Sequence, residues 1–115
     1  GPEAPRQARQ AVDAWLRETL GRDKLEDVKL LVSELVTNAV RHPNSGDRIE
    51  LEVALQRTNV RVVVSDPGRG FRKPSVKAPP DDQPGGRGLL IVERLASRWG
   101  VSPGRTTRVW FELDR

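Results

Sequence analysis

With 115 residues, 36% of them hydrophobic, the chain carries enough apolar side chains for one modest core and too few for two comfortable domains. It has no cysteine, which excludes a disulfide framework and any thiolate nucleophile or metal site, and fits a reducing, cytoplasmic setting. The net charge of +4 arises from 20 basic and 16 acidic residues scattered among one another, so a solvated arginine-rich surface is a better reading than a direct nucleic-acid partner.

The chain opens on Gly1-Pro2 and contains no methionine, the pattern expected of one domain, residues 1–115, cut from a longer protein with a protease scar in front. From Pro5 to Leu20 the apolar residues Ala8, Ala11, Val12, Trp15, Leu16 and Leu20 fall at helical spacing, and Gly21 ends the run. A second helix is expected from about Lys24 to His42, striped by Leu25, Val28, Leu31, Val32, Leu35, Val36 and Ala39 and closed by Pro43-Asn44-Ser45-Gly46. Glu34 and Asn38 sit on one shoulder of that stripe, one turn apart, whereas Lys29 and Ser33 face elsewhere.

The period then changes to two. Ile49, Leu51, Val53 and Leu55 alternate with Glu50, Glu52 and Ala54, and Val60, Val62 and Val64 alternate with Arg61 and Val63 after the turn-like Thr58-Asn59, which predicts an antiparallel hairpin with one buried face. Its second strand runs into Asp66-Pro67-Gly68-Arg69-Gly70 and then a proline-rich charged segment, 72–84, that reads as a mobile loop. Glycines 85, 86 and 88 are expected immediately ahead of the first turn of a third helix, striped by Leu89, Val92, Leu95, Ala96 and Trp99, with Gly100 just past its end. A closing strand is carried by Val109, Phe111 and Leu113. Together these predict an α+β fold: a two-layer α/β sandwich with a largely antiparallel mixed sheet and three helices on one face. No apolar run reaches the roughly 20 residues of a bilayer span, so no membrane partner is expected.

Three motifs carry chemistry. Polar residues on a helix shoulder are usually just solvated, but an acid and an amide one turn apart, Glu34 and Asn38, suit a carboxylate base beside an oxygen ligand for Mg²⁺. Asp66, Gly68 and Gly70 form an ordinary turn sequence on their own; functionally, the glycines admit a flat ligand and the Asp66 carboxylate accepts from an exocyclic amine such as that of adenine. Gly85-Gly86-Arg87-Gly88-Leu89 opens a helix, where free N–H groups and the dipole favour an anion, although glycines at a loop end are common and neither standard phosphate-loop pattern is present.

In this order and spacing the three motifs resemble the histidine-kinase-type ATPase superfamily (GHKL, the Bergerat fold) over nearly the whole chain. Glu34 and Asn38 in "ELVTNAVRH" look like its N box, Asp66, Gly68 and Gly70 in "DPGRGF" like its first glycine box, and Gly86, Gly88 and Leu89 in "GRGLL" like its second. Within the superfamily the likeness is nearest to the bacterial anti-sigma-factor serine/threonine kinases, through "SELVTNAVRH", a short lid from Phe71 to Gly85, "GRGLLIVERLASRWG" and the "VWFEL" ending.

The resemblance implies ATP and Mg²⁺ as cofactors, an alternative sigma factor and a STAS-type anti-sigma antagonist as partners, and phosphorylation of the antagonist. It implies Glu34 as catalytic base and Asn38 as the Mg²⁺ ligand. Asn38, His42, Asp66, Gly68, Gly70, Gly86, Arg87, Gly88, Leu89 and, through water, Thr107 would line the nucleotide site. Arg69 and Arg87 are as well explained as surface arginines, and His42, the single histidine, as a member of the pocket rather than a phospho-acceptor. The family's usual strand ahead of the first helix has little room before Pro5, which bears on the sheet edge and on any homodimer contact built there. The alternative is a non-catalytic, ATP-gated partner-binding module of a multidomain regulator.

Overall fold

A computed structural model describes residues 3–40, 49–66, 84–102 and 107–115. In chain order the elements are α1 (Ala4–Leu16), α2 (Arg22–Val40), β1 (Glu50–Leu55), β2 (Asn59–Asp66), α3 (Pro84–Leu95), β3 (Arg98–Ser102) and β4 (Thr107–Asp114). The four strands form one sheet in the order β1-β2-β4-β3, each neighbouring pair antiparallel.

α1 has a proline in its first turn, where the missing N–H costs nothing, and it stops at Leu16, four residues short of the expected end. The chain turns there: the N–H groups of Thr19 and Leu20 both donate to the Leu16 carbonyl, and Leu20 folds back into the core. The β1–β2 hairpin closes on a bond from the Gln56 N–H to the Asn59 carbonyl, 2.8 Å.

Alternation in the strands sets the layers. Val60, Val62 and Val64 of β2 oppose Leu113, Phe111 and Val109 of β4, and this face is covered by the helices. Val12 and Leu16 from α1, Val28, Leu31, Val32, Leu35 and Val36 from α2, and Val92 from α3 complete a single buried cluster with them. α2 is the middle helix of its layer, packed against α1, α3 and β2.

Two sequence expectations are corrected in the last third of the chain. The third helix ends at Leu95, not near Gly100, because Arg98 to Ser102 pair as a strand with β4, Trp99 opposite Phe111 and Val101 opposite Val109. Its beginning also differs: Pro84 opens the helix, so Gly85, Gly86 and Gly88 lie within its first two turns rather than ahead of them. Apart from Pro84, the segment read as a loop lies outside the described residues.

The other sheet face is largely charged, with Val63 buried among its neighbours. Arg61 stacks on the Trp110 ring, 4.6 Å from its centroid, and donates to Glu112 at 3.0 Å; Arg98 bridges Glu112 and Asp114. Gly100 lies directly beneath the Trp110 indole, where a Cβ would stand 2.9 Å from the ring.

Candidate nucleotide site

α2 carries two different flanks, separated by the geometry of the helix itself. Successive residues turn about 100°. Lys29 and Ser33 lie on the flank facing α1, since Lys29 Nζ donates to Asp13 at 3.0 Å and Arg9 donates to Ser33 Oγ at 3.1 Å. Glu34 and Asn38 are both half-buried and lie about 100° to 180° further round, on the flank away from α1, while α2 as a whole also packs on α3 and β2. The sequence placed Glu34 and Asn38 on their own shoulder but gave no sign of what Lys29 and Ser33 would meet.

Asp66 is the last residue of β2 and only 5% exposed. Its place in the alternation, in phase with Val60, Val62 and Val64, puts it on the helix side of the sheet. Opposite it in the register stands Thr107, the first residue of β4. Asp66 and Thr107, 41 positions apart in the chain, are thus cross-strand neighbours.

The glycine-rich segment forms the N-terminal turns of α3, and α3 packs on α2, so Gly86, Arg87, Gly88 and Leu89 belong to the helix beside the one bearing Glu34 and Asn38. His42, Gly68, Arg69 and Gly70 lie outside the described residues.

The donor set bears on which cation fits. Among the described residues no three His, Cys, Asp or Glu side chains converge as a metal cage. Mg²⁺ seldom uses such a cage; it is commonly held by one or two protein oxygens together with substrate phosphates and water. A single amide oxygen from Asn38 therefore suits Mg²⁺ delivered with a nucleotide, and would not suffice for a resident structural metal.

The fold and these positions define an α+β domain of the histidine-kinase ATPase type. The histidine kinase-like ATPase domain family matches residues 1–112, and the chain belongs to that family.

Among curated relatives, the anti-sigma F factor of Pasteuria penetrans is 33% identical over 89% of this chain and 77% of its own length. The serine-protein kinase RsbW of Staphylococcus aureus is also 33% identical, over 73% of this chain, which spans 63% of that kinase. Among solved structures, the histidine kinase domain of the Erythrobacter litoralis EL346 blue-light-activated kinase superposes with a TM-score of 0.61 over 95% of this chain and 62% of that one at 22% identity, a likeness of fold. Acinetobacter baumannii histidine kinase AdeS gives a TM-score of 0.60 at 15% identity over 78% of this chain and 46% of that one. Among the described residues no helix is long and apolar enough to cross a membrane.

Proposed function

We propose that this chain is an ATP-dependent serine/threonine protein kinase and anti-sigma factor that phosphorylates a STAS-type antagonist and sequesters an alternative sigma factor in the cytoplasm. One observation carries the catalytic part: Glu34 shares a half-buried flank of α2 with Asn38, away from the bonds to α1, on a helix that also packs against α3 and against β2, the strand that Asp66 ends. The two named relatives, an anti-sigma factor and a serine-protein kinase, support the choice of partners.

In this reading Asp66 accepts a hydrogen bond from the adenine amine, with Gly68 and Gly70 allowing close approach and Thr107 joining through water. His42, Gly86, Arg87, Gly88 and Leu89 complete the nucleotide surface, the last four at the positive end of α3. Asn38 would hold Mg²⁺, which supplies neutralisation of phosphate charge.

The antagonist's serine oxygen forms a bond to the γ-phosphorus as the bond to the bridging oxygen breaks, ADP departs, and the hydroxyl proton passes to the Glu34 carboxylate. Little covalent chemistry falls to the protein. Positioning and charge do most of the work, which a domain of this size can supply.

The test is transfer of radiolabelled γ-phosphate from ATP to a STAS-type antagonist. Label on the antagonist that disappears in Glu34→Gln, with ATP binding retained, is the expected result. Absence of label with the unaltered chain, despite Mg-ATP binding, would favour the non-catalytic module instead.

A further inference from the structure

Arg9 and Asp13 are four residues apart on α1; Lys29 and Ser33 are four apart on α2. The bonds run Arg9 to Ser33, 3.1 Å, and Lys29 to Asp13, 3.0 Å, so the order is reversed between the helices and the two form an antiparallel ladder of two rungs. Asp13 is also clasped by Arg17 of its own helix, and Lys29 by Glu26 at 3.2 Å. The second rung is thereby anchored on both sides.

We propose that Arg9 and Ser33, supported by the Asp13–Lys29 rung, are positioning residues that fix the rotation of α2 about its own axis and so the aim of Glu34 and Asn38. The inference rests on the nucleotide site proposed above.

α1 packs on α2, and Val12 and Leu16 of the first and Val28 and Val32 of the second belong to one buried apolar cluster; such packing is non-directional, so a helix that turns by a few degrees keeps nearly all of its buried area. Hydrogen bonds are directional, and these two act on the flank facing away from the candidate site. Side-chain ends on a helix stand about 5 to 6 Å from its axis. A turn of about 10° therefore moves Glu34 and Asn38 by about 1 Å, and displacement by that amount costs a reacting geometry on the order of 100-fold.

The alternative is that the ladder only glues two helices together. It borders an open groove of about 490 Å³ lined by Arg9, Gln10, Asp13, Ala14, Arg17 and Lys29, so its bonds are partly solvated and add little to stability. Their geometric effect is not screened in the same way. Ser33 directly precedes Glu34, so the first rung holds the backbone at the very residue before the proposed base.

The deciding measurement is ATP affinity by calorimetry with Mg²⁺ and with EDTA, for the unaltered chain, Ser33→Ala, Ser33→Thr and Arg9→Met. The expected result is that Ser33→Ala and Arg9→Met lose about fivefold or more of the affinity gained through Mg²⁺, since Asn38 is misdirected, while metal-free affinity and the melting temperature hardly move. Ser33→Thr, which keeps the hydroxyl, restores the gain. In the phosphotransfer assay the same two variants lower kcat and leave KM for the antagonist within about twofold.

A Mg²⁺ gain within about twofold of the unaltered chain in both variants overturns the inference. So does a parallel loss of both affinities that follows a lower melting temperature, which is what mere glue predicts. Those outcomes leave the nucleotide site standing; an unaltered chain that binds no ATP removes the functional reading and this inference together.

Discussion

Asp66 stands opposite Thr107 where β2 ends and β4 begins, on the face of the sheet that the helices cover. An aspartate carboxylate offers only acceptors. Asp66→Asn keeps the shape but presents an amide N–H₂ toward an incoming amine, donor against donor. ATP affinity should fall about 10- to 100-fold, and preference for ATP over GTP should shrink with it, because a site built to pair with one group rejects the analogue that leaves it unpaired. Titration calorimetry with both nucleotides checks this; equal ATP affinity in the variant would remove Asp66 from the site.

Gly100 makes a second prediction, about the sheet rather than the site. Its missing Cβ leaves room for the Trp110 indole, whose Cζ2 and Nε1 atoms would each lie 2.9 Å from an added methyl. The ring is rigid, so it must move as a whole and give up its stacking under Arg61. Alanine gains about 0.4 to 1 kcal/mol by restricting the unfolded chain. Overpacking costs about 1 to 3 kcal/mol and wins. Gly100→Ala should lower stability by about 1 to 2 kcal/mol in urea and shift the Trp110 indole N–H resonance.

The same glycine explains where the sequence was legible and where it was not. Long one-sided stripes such as Leu25 to Ala39 are set by burial on one face, and Val60, Val62 and Val64 mark the helix-facing side of β2, although Val63 on the other side is buried too; both elements were placed within a few residues. β3 was lost because Trp99, one of its two inward residues, continues the helical stripe by chance and its outward Gly100 resembles a helix stop. What makes it a strand is its partner: Arg98 reaching Glu112 and Asp114, and Trp110 lying over Gly100.

At the candidate site, the shared direction of Glu34 and Asn38 followed from 3.6-residue periodicity alone. The pairing of Asp66 with Thr107 depends on strand register, and the Arg9–Ser33 bond on how two helices lie together; neither is written in local spacing.

The charged face of the sheet sets an acid limit on stability. Glu112 has its carboxyl held below the ordinary value of 4.5, chiefly by the Arg98 hydrogen bond, against an opposing burial effect and with help from Arg61. Asp13 is likewise lowered, by Arg17 first and then Lys29. A carboxyl with a depressed folded value contributes stability that is fully present above its unfolded value and is lost as pH falls through the folded one. Urea midpoints should thus hold steady down to about pH 4.5 and decline below it, more steeply at low salt because these pairs are exposed to solvent. Glu112→Gln should show a shallower decline. An identical slope in the variant would mean that the Arg98–Glu112–Arg61 cluster is not coupled to folding.

Two adjacent leucines test the orientation of α2 directly. Leu31 is fully buried in the core, whereas Leu30 is 41% exposed. Both sit mid-helix, both become the residue with the best helix propensity when changed to alanine, and they differ only by one step of about 100° around the axis. Leu31→Ala should cost about 2 to 5 kcal/mol through lost burial and a residual cavity, and Leu30→Ala should stay within about 0.5 kcal/mol. A helix turned by one residue would reverse that order and would carry Glu34 and Asn38 off their half-buried flank. Comparable losses in urea denaturation for the two variants would therefore count against the rotation on which the nucleotide site depends.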